Sequence, residues 1–235
     1  MSAHLTEEEQ LEMLKRWWKD HGQSLVIGVI LALGAYLAWQ WWQGSQRAQA
    51  EAASSQYQQL VEAMAVEPGV APTDEMRATA KHLAGQLKTD HTDSLYAKSA
   101  ALFIAKLAVE SDDLVAAASE LQWVLAQKPA AALERLARLR LARVQTAQGE
   151  HDQALQTLNA AVATEGNADT YAAAYAQVQG DIYLAQGKPE QARTAYASAM
   201  DKIAAEEGAQ REILQMKIDD LQSKVSTADV QGDAQ

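Results

Sequence analysis

Side chains capable of catalysis or metal binding are scattered along this sequence rather than grouped. The five histidines lie far apart and cysteine is absent, which excludes disulfides, a cysteine nucleophile and thiolate zinc sites. One segment, Asp90-His91-Thr92-Asp93, groups possible metal ligands, but its composition is typical of a solvated loop. Motifs for a nucleophilic serine, a phosphate loop, a dinucleotide or a helical zinc site are missing. We therefore predict no enzymatic activity, no catalytic residue, no metal and no cofactor.

The overall charge argues against nucleic acid as a partner. The 235 residues carry a formal net charge of −11 at neutral pH. An acidic surface repels a phosphate backbone, so the usual electrostatic attraction to DNA or RNA is missing. The remaining function classes are those that depend on protein surfaces or on a membrane.

A long apolar segment near the N-terminus predicts a membrane anchor. Leu25 to Trp42 contains no Asp, Glu, Lys or Arg, and roughly 20 apolar residues are enough to cross the hydrocarbon core. Tryptophans bracket the segment as the aromatic belts of a membrane helix do: Trp17, Trp18, Trp39, Trp41 and Trp42. We predict a transmembrane helix over residues 24–44, surrounded by lipid.

Two other interpretations of this segment stay open at this point. One is a buried core helix with stray tryptophans. The other is a cleaved signal peptide, because Ala48-Gln49-Ala50 resembles a cleavage site. Against cleavage, the preceding region is long and acidic, and the apolar run ends in tryptophans rather than in a short polar region.

Flanking charge predicts the orientation of the anchor. Lys15, Arg16 and Lys19 precede it, whereas only Arg47 follows it closely. The positive-inside rule then keeps residues 1–23 in the cytoplasm and translocates the rest, which in a Gram-negative bacterium means a single-pass (type II) inner-membrane protein with a periplasmic domain. The leader is predicted as a short helix that begins at a Thr6–Glu9 capping box.

Small residues inside the anchor are candidates for packing against another membrane helix. They form two small-xxx-small pairs, which let helices approach closely: Gly28 with Ala32, and Gly34 with Ala38.

The remainder, residues 45–225, is predicted to be an all-α domain. Alanine and leucine recur at helical spacing, and alternating β-branched runs are missing. Pro68-Gly69 should end one helix, and Thr73 or Asp74 should cap the next. A capping helix is expected at 209–225, followed by a disordered tail at 226–235.

An internal repeat refines this fold to a tetratricopeptide-like (TPR-like) α-solenoid of helical hairpins. The clearest unit contains Gly180, Gly187 and Tyr196; Gly149 lies 38 residues before Gly187, and Ala117 lies 37 residues before Ala154. The units fall near 98–131, 135–168 and 173–206. A generic alanine-rich bundle is the alternative.

The first helices of such hairpins line a groove that can bind peptides or a partner domain. Registering the units places three polar residues at one groove position and three others one turn earlier. The candidate groove contacts are Lys106, Arg143 and Asp181, preceded by Leu102, Leu139 and Gln177.

Two segments together resemble a known family. They are Thr6–Trp18 (TEEEQLEMLKRWW), which leads into the anchor with Gly28–Leu31 (GVIL), and Leu214–Leu221 (LQMKIDDL) behind the repeats. The arrangement resembles the YfgM family, ancillary subunits of the bacterial SecYEG translocon. The resemblance implies an inner-membrane protein that associates with SecYEG and with a PpiD-like membrane-anchored periplasmic chaperone, and it transfers no catalytic residue.

The predicted function is therefore a membrane-anchored periplasmic TPR adaptor that assists newly translocated proteins. Its expected partners are the SecYEG translocon, the PpiD-like chaperone and nascent secretory chains. The alternative is a scaffold subunit of another cell-envelope assembly complex, which would have the same anchor and the same type of domain.

Overall fold

The computed structural model of the protein describes residues 7–65, 70–162, 169–203 and 208–232. Regular structure within these ranges is entirely helical, which confirms the predicted all-α class, and the chain divides into two units, Met1–Ala52 and Ala53–Gln235. The helices are α1 (Glu7–Ala63), α2 (Asp74–Asp90), α3 (Leu95–Glu110), α4 (Leu114–Ala126), α5 (Ala131–Ala147), α6 (His151–Val162), α7 (Asp169–Ala185), α8 (Pro189–Lys202) and α9 (Gly208–Gly232).

Helix α1 contains a stretch that is long and apolar enough to cross a membrane, Ser24–Ala63. Its large apolar side chains are exposed, including Ile30 at 61% and Trp41 at 77%, so the segment is not a buried core helix. The leader differs from the prediction, because residues from Glu7 onward belong to the same uninterrupted helix as the apolar stretch. The sequence places no proline there to end a helix. Thr6, the predicted cap, lies outside the described residues.

Side-chain caps begin the helices that follow. The Thr73 hydroxyl accepts the Met76 N–H at 3.3 Å, as predicted for the start of α2. Ser94 caps α3 in the same way by accepting the Ala97 N–H at 3.0 Å. Such caps satisfy amide groups that the first turn of a helix leaves unpaired. Pro68-Gly69, the predicted end of the preceding helix, lies outside the described residues.

The helix pairs α3–α4, α5–α6 and α7–α8, called here the first, second and third hairpins, use the same backbone motif in their turns. The N–H of Asp113, Glu150 and Lys188 donates to the carbonyl five residues earlier, at 2.8, 2.8 and 2.9 Å. This is the long bond of a Schellman motif, which requires a left-handed residue just before the donor. Gly149 and Gly187 supply it with φ of 82° and 72°, whereas the first hairpin uses Asp112 at 58°.

A small residue on the first helix faces a large one on the second in the third hairpin, and the two other hairpins carry a small and a larger residue at the same positions. In the third hairpin a Cβ added to Gly180 would lie 2.4 Å from the Tyr196 ring, so only glycine fits without displacement. The corresponding pairs carry an alanine and a leucine, all nearly completely buried: Ala142 with Leu158, and Ala105 with Leu121. Where leucine replaces the tyrosine ring, alanine replaces the glycine on the first helix.

The core is a series of four clusters that consecutive helices share. The first joins the C-terminal part of α1 to α2 and α3. The next joins α3, α4 and α5. A third joins α5, α6 and α7, and the last joins α7, α8 and α9. Each hairpin therefore buries its apolar faces against its neighbours in the chain, which is the packing principle of a repeat solenoid.

Helix α9 packs against the last hairpin through Leu214 and Leu221, both fully buried. It extends to Gly232, beyond the predicted end at 225, and the tail predicted to be disordered is thus helical as far as that residue. The reason is compositional: from Ser226 to Gln231 the sequence contains no glycine or proline that would stop a helix. Residues 233–235 lie outside the described ranges.

Candidate functional site

A recess of about 340 Å³ lies between α3, α4 and α5, and is called here the α3–α5 recess. Its interior consists of apolar side chains: Ala105, Val109, Leu114, Leu121, Val144 and Ala147. Charged side chains stand at its rim: Lys106, Glu110, Arg140 and Arg143. An apolar interior with a few polar groups at the edge is the usual composition of a protein binding site.

The rim carries an excess of positive charge. Lys106 and Glu110 form an ion pair at 3.5 Å, with side chains 65% and 43% exposed. Exposed pairs of this type contribute little, about 0–1 kcal/mol. Arg140 and Arg143 lie on the adjacent helix and take part in no ion pair with any residue that the structure describes. The guanidinium groups are thus available to an incoming carboxylate.

The structure brings together two of the six predicted groove residues, Lys106 and Arg143, at this rim. Leu102 and Leu139 belong to the core instead, with 7% and 4% exposure. Residues four apart differ by only about 40° around the helix axis, and on α3 and α5 this offset separates the exposed rim position from the face packed against neighbouring helices. Both leucines support the groove from behind rather than lining its surface.

The third hairpin presents a different arrangement at the same repeat position. Gln177 is half-buried. Asp181 accepts a hydrogen bond from the Tyr196 hydroxyl at 2.7 Å and an ion pair from Lys217 of α9 at 2.5 Å. Lys217 also lies 5.1 Å from the centre of the Tyr196 ring. Asp181 is therefore engaged within the fold and is not a free groove contact.

Burial raises the pKa of two tyrosines in the third hairpin, Tyr175 and Tyr196. Burial, followed by the hydrogen bond to Asp181, raises the pKa of Tyr196 far above its ordinary value. Burial also raises the pKa of Tyr175 to about 12; its hydroxyl donates to the Arg135 carbonyl at 2.6 Å and so connects α7 to α5. Both hydroxyls stay protonated at neutral pH and act as structural donors.

Arg140 and the apolar interior of the recess are functional candidates that the repeat register does not predict. Arg140 precedes Arg143 by three residues, and this spacing keeps both on one exposed helix face. Repeat register gives positions four residues apart on each first helix and so does not include Arg140. Leu114 and Leu121 come from the second helix of the first hairpin, and no single-helix pattern could have placed them beneath a groove formed by first helices.

The predicted packing positions in the anchor are all exposed: Gly28, Ala32, Gly34 and Ala38. A Cβ added at Gly28 or Gly34 would meet no atom within 4 Å. These positions thus leave space for another helix, and their role stays a prediction.

Asp90-His91-Thr92-Asp93 has a local structural role. His91 ends α2, where its N–H donates to the Leu87 carbonyl at 3.0 Å, and its own carbonyl accepts the Ser94 N–H at 2.9 Å. In the part of the chain that the structure describes, no group of three or more His, Asp or Glu side chains is placed to hold a metal ion.

The repeated hairpins define the class of protein, and comparison with known families agrees. The model of a family described as a tetratricopeptide repeat-like domain matches residues 15–223, which includes the apolar stretch as well as the hairpins. The structure thus belongs to the class of helical-repeat proteins with an N-terminal apolar helix. No solved structure gives a significant match.

Similar proteins narrow the class further. The chain is 34% identical over 221 residues to a protein of Escherichia coli K12 named ancillary SecYEG translocon subunit, covering 94% of this chain and 99% of that protein. Proteins of the same name from Haemophilus influenzae and Neisseria gonorrhoeae are each 30% identical, covering 94% of this chain and their own full length. The chain belongs to the family of ancillary SecYEG translocon subunits, which confirms the resemblance noted in its sequence.

Proposed function

We propose that the protein is an inner-membrane TPR adaptor that associates with the SecYEG translocon. The observation that carries this proposal is the match over 94% of the chain to proteins named as ancillary subunits of that translocon. The exposed apolar stretch of α1 supports it, because a helix of this kind needs a lipid surrounding. Anchoring beside the channel raises the effective concentration there of the part of the chain from Asp74 onward, called here the hairpin domain.

The orientation of the proposed anchor places the hairpin domain in the periplasm. Lys15, Arg16 and Lys19 precede the apolar stretch, and the positive-inside rule keeps that flank in the cytoplasm. Because the chain has no cysteine, Ser2→Cys and Ser226→Cys give clean single labelling sites. We expect a membrane-impermeant maleimide added from the periplasmic side to label only Ser226→Cys; labelling of Ser2→Cys instead would overturn the orientation.

The hairpin domain acts by binding proteins rather than by catalysis in this proposal. Its partners are a PpiD-like membrane-anchored chaperone and nascent secretory chains leaving the channel. Repeat solenoids offer extended surfaces for such contacts, and the α3–α5 recess is an exposed example on this chain.

In-cell photocrosslinking tests the association directly. A photoreactive residue at Val115, which is 75% exposed, or at Ile30 in the apolar stretch reports contacts of each unit. We expect SecYEG subunits at the Ile30 site and the chaperone or a secretory chain at the Val115 site. Recovery of a cell-wall or outer-membrane assembly complex, without translocon subunits, would favour the alternative scaffold function.

Intact mass of the purified protein tests the alternative of a cleaved signal peptide, because it reports whether the segment before Ala50 is retained.

A further inference from the structure

The α3–α5 recess has a chemistry that selects among possible protein partners. Its volume of about 340 Å³ is near the lower end of ligand pockets, roughly 300–1,000 Å³. It therefore accommodates one bulky side chain of a peptide rather than the surface of a folded domain. A buried apolar side chain of this type commonly supplies most of the affinity of an interface.

The rim determines the charge of the segment around that side chain. The rim has three cationic side chains and one carboxylate: Lys106, Arg140 and Arg143 against Glu110. This local excess contrasts with the net charge of −11 on the chain as a whole. Guanidinium groups pair with carboxylates through two parallel hydrogen bonds. A basic segment would instead meet two arginines without compensating charge.

The corresponding positions one repeat later show that this charge is specific to the recess. Arg140 and Arg143 correspond to Val178 and Asp181, 38 residues further along the sequence. Val178 is buried, and Asp181 is paired with Lys217. The basic rim is therefore a property of one hairpin boundary and not of the repeat in general.

We propose that the α3–α5 recess binds an acidic peptide segment by accepting one bulky apolar side chain, while Arg140 and Arg143 pair with carboxylates that flank it. This inference deepens the proposed adaptor function and rests on it, since it specifies the kind of segment that the hairpin domain binds. A small anion alone would leave the apolar interior unused, and an uncharged apolar segment would leave the arginines unpaired.

Peptide binding to the full chain in lipid nanodiscs tests the proposal without detergent to compete for the recess. The probe is a short, end-blocked, fluorescent peptide with one phenylalanine between aspartates, measured by anisotropy. Companion peptides replace the phenylalanine by alanine or the aspartates by lysines. We expect saturable binding of the first peptide, weakening by about tenfold or more for each companion, and weaker binding as salt is raised.

Variants of the protein locate the binding site. Arg143→Glu should weaken binding about tenfold, whereas Lys81→Glu, an equal charge change on the exposed surface of α2, should leave it unchanged. Ala147→Trp, at the exposed last residue of α5, fills the recess and should abolish binding. Ala126→Trp, at the exposed last residue of α4, is its matched control. Thermal unfolding followed by circular dichroism checks that each variant is folded.

Equal binding by wild type and folded Ala147→Trp, equal binding of all three peptides, or no binding of any peptide would each overturn the proposal. A wild-type dimer in nanodiscs that Ala147→Trp separates would identify a second copy as the occupant and also overturn it. Copurification of SecYEG distinguishes failure of this inference from failure of the proposed function. If SecYEG still copurifies while peptide binding does not depend on the recess, only this inference fails. If wild type binds the peptide without copurifying SecYEG, the proposed function fails instead.

Discussion

Arg140 and Arg143 of the second hairpin stand where Val178 and Asp181 stand in the third. The arginines are at the rim of an open recess, whereas the third hairpin buries its valine and engages its aspartate with Tyr196 and Lys217. The difference comes from the neighbours: α9 closes the third hairpin, and the boundary between the first two keeps an accessible cavity. Identical repeat positions can thus serve stability at one place and binding at another.

The largest expected effect concerns Tyr175, a buried tyrosine of the third hairpin. Burial raises the pKa of Tyr175 to about 12, so its hydroxyl stays protonated in the fold after it ionises in the unfolded chain. A raised folded-state pKa contributes stability that is complete below pH 10 and is lost as the pH rises to 12. The loss from this group is about 2–3 kcal/mol.

Denaturant unfolding of the full chain followed by circular dichroism between pH 9 and pH 12, roughly the range set by the ordinary and raised pKa values, measures this loss. Tyr175→Phe should be about 1 kcal/mol less stable at neutral pH, because the bond to the Arg135 carbonyl is removed. Its stability should then fall less steeply in alkali. The second hairpin has Ala137 and Leu158 where the third has Tyr175 and Tyr196. Unfolding in alkali that begins in the second hairpin would therefore contradict the comparison of the two hairpins.

The next effect tests how tightly the third hairpin is closed. Gly180→Ala places a methyl group against the Tyr196 ring and should lower the free energy of unfolding by about 2 kcal/mol. Gly85→Ala in α2 meets no atom within 4 Å and should instead stabilise by about 0.5–1 kcal/mol. A second substitution, Tyr196→Leu, recreates the alanine–leucine pair of the second hairpin.

A double-mutant cycle on Gly180 and Tyr196 isolates their steric conflict. The double variant should be more stable than the sum of the single effects predicts, by about 1–2 kcal/mol. Additive effects would mean that the two helices separate readily, and the close packing proposed for this hairpin would be wrong.

The charged residues at the equivalent position of the second and third hairpins, Arg143 and Asp181, should differ in their contribution to stability. Asp181→Ala removes the acceptor of the buried Tyr196 hydroxyl and the partner of Lys217, and should cost about 1–2 kcal/mol. Arg143→Ala should change stability by less than about 0.5 kcal/mol, as for other exposed positions. Urea denaturation of both variants measures the difference in the free energy of unfolding. Equal losses would contradict the distinction between the paired Asp181 and the exposed Arg143.

The smallest effect concerns the hairpin turns. Asp112 adopts φ of 58°, where its two counterparts are glycines. Asp112→Gly should stabilise the protein by about 0.5 kcal/mol, because it relieves left-handed strain and removes a negative charge from the end of α3. Gly149→Ala, which puts a Cβ at the left-handed position of the second hairpin turn, should cost about 1 kcal/mol. A destabilised Asp112→Gly variant, measured by thermal unfolding, would show that the aspartate has a contact that outweighs the strain.

Much of this architecture could be predicted from residues close together in the sequence. The apolar stretch after Lys19, the Thr73 cap, and the glycines at positions 149 and 187 are local signals with direct physical meaning. The first hairpin has the weakest local signal, since Asp112 stands where the other two hairpins have a turn glycine. The recess could be predicted only in part, because Lys106 and Arg143 follow from repeat register whereas its floor depends on how α4 packs beneath α3 and α5. Pairing of Asp181 with Lys217 of α9 has no sequence pattern that would reveal it.

The division of the core into four separate clusters has a consequence for how the hairpin domain responds to damage. Each cluster involves three consecutive helices, so a disturbance must pass from one cluster to the next through the helix they share. The free energy of folding is then a sum of contributions from successive clusters. Unfolding can begin at α9 and stop before it reaches α5. A chain cleaved by a protease near its C-terminus would keep the first two hairpins folded, together with the surface that is proposed to bind peptides.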